Sequence, residues 1–87
     1  MRRDEEFFKD QDVELIYVAR KLSEAKALEA LLTSAGVDYL VEVDEYLGGF
    51  LFQRMRAGAF FYVLPRTADS ARRLMESHRY RPQKATP

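Results

Sequence analysis

A strand pattern, a helix pattern and a second strand pattern follow one another within residues 13–43, and this succession restricts the chain more than any other feature. Val13–Ala19, VELIYVA, is rich in β-branched and aromatic residues and reads as a strand that is apolar on both faces, suited to a covered or central place. Ser23 has the chemistry to N-cap a helix, with Glu24 favourably placed in the first turn. Leu28, Leu31, Leu32 and Ala35 then recur at helical spacing, and Gly36 supplies a left-handed C-terminal cap. Val37–Val43, VDYLVEV, alternates, with Val37, Tyr39, Val41 and Val43 on one face, Asp38 and Glu42 on the other, and Leu40 as the one irregularity. Two strands joined by such a helix lie parallel through a right-handed crossover, often with another strand between them.

The rest of the chain supplies that strand and a second helix. Ala59–Leu64 is an apolar strand halted by Pro65, which has no amide hydrogen for a ladder. Thr67 is the expected N-cap of the last helix, with Asp69 in its first turn and Ala68, Ala71, Leu74, Met75 and His78 as its inner stripe. The order β-α-β-β-α predicts an α+β domain: an incomplete ferredoxin-like sandwich, one sheet with two helices packed on one face. Residues 1–11 read as a flexible lead-in, 12–78 as the single domain and 79–87 as a flexible tail. With no clear fourth strand, the first strand is expected to be an exposed edge. The Phe7–Phe8 segment, the tail, or a second copy forming a homodimer is expected to cover it.

At 87 residues a chain buries only about 60–65% of the surface its unfolded form exposes, so self-association would add to a thin stability margin. Hydrophobic residues at 47% and charged residues at 32% give a globular balance, and the absence of cysteine removes disulfides and thiolate metal sites and fits a cytoplasmic setting. MRRDEEFFKD has no apolar stretch behind its arginines, and the run Ala57–Leu64 is far short of the roughly 20 residues a membrane span needs. Net charge is zero but unevenly spread. Residues 1–48 carry 6 Lys/Arg against 12 Asp/Glu, a net of −6, and residues 49–87 carry 8 against 2, a net of +6.

No catalytic constellation emerges, and neither an enzyme nor a bound cofactor or metal is expected. His78 stands alone at a helix C-terminus; Asp38, Glu42, Asp44 and Glu45 read as a solvated face; Ser23, Ser34, Ser70 and Ser77 lie in or at the ends of helices. Gly48–Gly49–Phe50 lacks the lysine and hydroxyl of a phosphate loop. The candidate binding segment is the connection 44–58, DEYLGGFLFQRMRAG. There Gly48 and Gly49 let a backbone approach a ligand, Phe50 would anchor it beside Tyr46, and Arg54 and Arg56 would pair with acidic groups. RMRAG reads as a basic turn or loop tip.

Over residues 13–76 the pattern resembles a family of small prokaryotic domains of otherwise unknown function, described as signal-transducing and related in fold to the nitrogen-regulatory PII proteins. The resemblance is carried by IYVA, by SEAKALEALLTSAGV, by DEYLGG, and by LPRTADSARRLM with Pro65, Ala68, Ala71, Arg72 and Leu74. It implies a cytoplasmic, non-catalytic regulatory domain whose partner, a protein or small anionic molecule, meets the segment 44–58. A second resemblance is to RNA-recognition motifs, in which Ile16–Tyr17–Val18 fits the first-strand motif and Tyr17, Phe60 and Tyr62 with Arg54 and Arg56 would stack and pair with single-stranded RNA. In that comparison the third-strand glycine falls one place late. These aromatics read first as packing, and a nucleic-acid partner is not the expectation; a purely structural self-associating domain is the other alternative.

Overall fold

The main apolar stretches among the described residues find surfaces to cover, and a computed structural model of the chain shows which. It describes residues 1–48 and 54–82, with 44–48 and 54–57 given by backbone course alone. The elements are β1 (Arg2–Arg3), a 3-10 turn (Glu5–Phe8), β2 (Glu14–Ala19), α1 (Leu22–Ser34), β3 (Tyr39–Gly48), β4 (Arg54–Val63) and α2 (Pro65–Ser77). The sheet order is β1-β3-β4-β2. β4 is antiparallel to both β2 and β3, so the strands joined by α1 are parallel with β4 between them. The chain is therefore α+β, with the topology of an incomplete ferredoxin-like fold. No strand pairs with the outer edge of β2 among the described residues. No helix among them is long and apolar enough to cross a membrane.

Both helices cover one face. Ala25, Leu28 and Leu32 from α1 and Ala68, Ala71 and Met75 from α2 form one core with Ile16, Tyr39, Val41, Phe61 and Val63. The irregular Leu40 is explained by the other face, where Phe8, Leu40 and Leu64 make a second cluster flanked by Val13 and Tyr62. Phe8 is 5% exposed, a burial worth about 2–3 kcal/mol. The N-terminal residues lead to it: Arg2 and Arg3 pair in parallel with Tyr39 and Leu40, Arg3 Nε donates to Asp38 Oδ1 at 2.9 Å, and Arg2 pairs with Glu29 at 3.3 Å. The expectation that Phe7–Phe8 covers the edge of the VELIYVA strand is thereby corrected. The segment caps the opposite edge and crosses the open face, because Leu40 and Tyr62 need cover there.

Element ends differ from the sequence expectation for local reasons. α1 starts at Leu22 with Lys21 in the cap position, so Ser23 is inside the first turn and is not the cap. The Glu24 carboxylate instead accepts the Arg20 N–H at 3.3 Å. In α2 the cap is Leu64, not Thr67; Pro65 is the first helical residue, where its missing N–H costs nothing. Thr67 Oγ1 donates to the Leu64 carbonyl at 3.0 Å. His78 occupies the C-cap and is exposed rather than part of the inner stripe.

Both helices close with the same motif. After α1, Gly36 N–H donates to Thr33 and Val37 N–H to Leu32. After α2, Arg79 N–H donates to Glu76 and Tyr80 N–H to Met75. Each turn needs a left-handed residue, Gly36 at φ +74 and Arg79 at φ +68. A Cβ on Gly36 would meet nothing within 4 Å, so its cost is conformational alone. We expect Gly36→Ala to destabilise the fold by about 1 kcal/mol and Arg79→Gly to stabilise it by about the same amount. Thermal unfolding of the two variants should therefore move in opposite directions, each by about 4–8 °C.

Candidate functional site

The segment 44–58 is mostly strand. β3 and β4 stay in register from Leu40↔Tyr62 through Asp44↔Gly58, Tyr46↔Arg56 and Leu47↔Met55 to Gly48↔Arg54. RMRAG, expected as a turn, lies within β4, and β4 begins five residues before Ala59 because Arg54–Gly58 find partners in β3. The last residue of β2 to pair with β4 is Ala19, opposite Ala59. β1 reaches only Leu40. The five outer pairs, Asp44↔Gly58 to Gly48↔Arg54, therefore form a two-stranded ribbon that continues beyond the rest of the sheet. At about 3.4 Å per residue it is roughly 15 Å long.

This register brings four of the six candidate residues into two facing pairs, Tyr46 with Arg56 and Gly48 with Arg54. Gly49 and Phe50 lie outside the described residues. Asp44 and Glu45 on one strand and Arg54 and Arg56 on the other give the ribbon no net charge, −2 + 2. A phosphate backbone would need a basic excess.

The three strand aromatics do not share a face. A bulge between Leu15 and Tyr17 shifts the β2 register, so that Tyr17 stands opposite Phe61, while Val18 stands opposite Phe60 and Leu15 opposite Tyr62. Tyr17 packs on the helix-side core and meets Tyr80 edge-on, centroids 5.5 Å apart. Tyr62 packs on the Phe8 cluster of the opposite face. All three are half-buried. Among the described residues no group of three His, Cys, Asp or Glu side chains is placed to hold a metal ion. The His78 ring contacts Ser77 Oγ and the Leu74 carbonyl, both at 3.1 Å, within its own helix turn.

Two clefts that the sequence does not reveal flank the β2–α1 corner, just below the ribbon. One, of about 170 Å³, is lined by Ala19, Leu22, Val43, Gly58 and Ala59 with Arg20 and Lys21. The other, wider, shares Arg20 and Lys21 and adds Phe60 and Arg81. Arg81 arrives there because the left-handed turn at Arg79 sends Tyr80 back onto Tyr17. Arg20–Lys21 is visible in the sequence as the polar break after VELIYVA; the return of Arg81 has no local sequence signal.

Burial, and secondarily the Glu24 carboxylate, holds the Tyr17 phenol above its ordinary range. Burial does the same to Tyr39. The Tyr39 hydroxyl lies 2.9 Å from Thr33 Oγ1 and donates to the Glu29 carbonyl at 3.2 Å. A phenol whose pKa is higher folded than unfolded contributes stability that is complete below about pH 10 and is lost as pH rises through the folded pKa. Denaturant midpoints measured from pH 8 to 11.5 should therefore fall above pH 10. Tyr39→Phe should lose about 1 kcal/mol at pH 8 and show a shallower alkaline fall. Searches for relatives add no further assignment: no family model matches the chain, and neither a curated protein nor a solved structure matches it.

Proposed function

We propose that this chain is a cytoplasmic, non-catalytic regulatory interaction domain, of the signal-transducing, PII-like kind its sequence resembles, that binds a protein or small anionic ligand through residues 44–58. The observation that supports the reading most is the ribbon of five strand pairs, Asp44↔Gly58 to Gly48↔Arg54, with which no other strand pairs among the described residues. Isolated two-stranded hairpins are marginal in water, and the core lies elsewhere, among Ile16, Tyr39 and Phe61. Among the described residues no strand pairs with the outer edge of either ribbon strand, which suits the ribbon to a partner that adds a strand or closes a groove around it. Arg54 and Arg56 then supply paired hydrogen bonds to carboxylates or another anion.

The RNA-binding alternative is less well supported, because Tyr17 is on the helix side while Phe60 stands on the other face. Pull-down with the Arg54→Ala/Arg56→Ala variant should lose at least one partner that the parent chain recovers. An unchanged partner set would end the ribbon reading. A salt titration with a random RNA oligomer should show no salt-dependent binding near micromolar concentration.

A further inference from the structure

The molecule carries an acidic, partly apolar feature across one end of its sheet and a basic-rimmed apolar cleft toward the other end. The acidic feature is the segment 4–12, DEEFFKDQD, with five carboxylates against one lysine, a net of −4. Asp4, Glu5, Glu6, Asp10 and Asp12 are exposed, and none of them makes an ion pair among the described residues. In their midst Phe7 is 39% exposed. It is held in place by Arg3, 4.6 Å from its ring centre, and by the edge of Phe8 at 4.9 Å.

The cleft is the smaller one at the β2–α1 corner. Its floor is Ala19 and Ala59, and its walls include Leu22 and Val43, which are 71% and 74% exposed. Those are the two most exposed large apolar residues among the described ones. Arg20 and Lys21 border it, with no ion pair among the described residues. The N-terminal arm is level with the start of β2, where Arg3, Leu40, Tyr62 and Leu15 share one row across the sheet. Arg20 follows the other end of β2, five residues and roughly 17 Å along it at about 3.3 Å per residue. One copy therefore cannot satisfy its own basic corner with its own Glu5 and Glu6.

We infer that the basic-rimmed cleft at Arg20, Lys21, Leu22 and Val43 receives the Glu5–Glu6–Phe7 turn of a second copy of this chain. Phe7 enters the apolar cleft while the two carboxylates meet Arg20 and Lys21. The contact is head-to-tail, so it propagates into a ring or an open chain according to whether the rotation closes. It differs from a symmetric pairing of two β2 edges. That pairing is hindered at its first residues: the bulge bends the strand, and Arg72 pairs with Glu14 at 2.5 Å, an ion pair short of hydrogen-bond geometry, and reaches the Leu15 carbonyl at 3.5 Å. The inference is independent of the ribbon's function.

Sedimentation velocity over a concentration series tests it. The parent chain should gain mass with concentration in about 0.05 M salt and return to monomer in about 0.5 M, where screening shortens the reach of exposed charges. Arg20→Glu/Lys21→Glu and Glu5→Lys/Glu6→Lys should each weaken association at least about tenfold. An equimolar mixture of the two variants should associate again, because the reversed corner of one matches the reversed turn of the other. All four positions are exposed, and circular dichroism of each variant verifies the fold; the single changes Lys21→Glu and Glu6→Lys serve if a double variant unfolds. Monomer at every concentration in low salt overturns the inference. So does a Glu5→Lys/Glu6→Lys chain that associates like the parent, which would place the contact at another surface.

Discussion

Everything in this fold depends on the inner half of β4, Ala59–Val63, lying between two other strands and under both helices. Phe61 marks the point. It pairs with Tyr17 on one side and Val41 on the other, stacks near Tyr39 with centroids 6.0 Å apart, and is fully buried. A continuous apolar strand in this position satisfies its backbone on both edges and its side chains on both faces, which is why FFYV carries no alternation. The crossover through α1 has only to deliver β2 and β3 in parallel on either side of it.

The two faces of β4 are finished by different means. Helices with small residues at the contact, Ala68 and Ala71 in α2 and Ala25 in α1, cover the side of Phe61 and Val63. The other side is finished only in part, by Phe8 over Leu40, Tyr62 and Leu64. The two most exposed large apolar residues among the described ones, Leu22 at the start of α1 and Val43, lie at the opposite end, beyond the reach of the arm. A domain of this size leaves such surface open or shares it with another molecule.

The order of elements, the α1 stripe and the Gly36 cap were legible because each rests on a local periodicity or on one residue with special backbone freedom. Leu40 was legible only as an irregularity, since its meaning lies in Phe8, thirty-two residues earlier in the chain. Ser23 and Thr67 misled because capping chemistry is common inside first turns; Leu22 and Pro65 start the helices instead. The bulge that turns Tyr17 to the helix side is a property of pairing with β4, which no pattern within VELIYVA encodes. Of the candidate site, the composition of 44–58 was readable. Its conversion from loop to paired ribbon was not, because Arg54–Gly58 lacks the apolar alternation that usually announces a strand.

Among the described residues the outer ribbon pairs only with itself, and this separates two kinds of constraint on the sequence. Changes at its far end alter neither the core nor the register of Leu40↔Tyr62, since each pair toward the base is fixed independently by the sheet. Adding or removing one facing pair in the outer ribbon changes its reach by one pair step and touches none of the core residues. Homologous chains can therefore vary reach and composition in this stretch while keeping the same scaffold, and a designer could graft a different recognition hairpin there without repacking a single core residue.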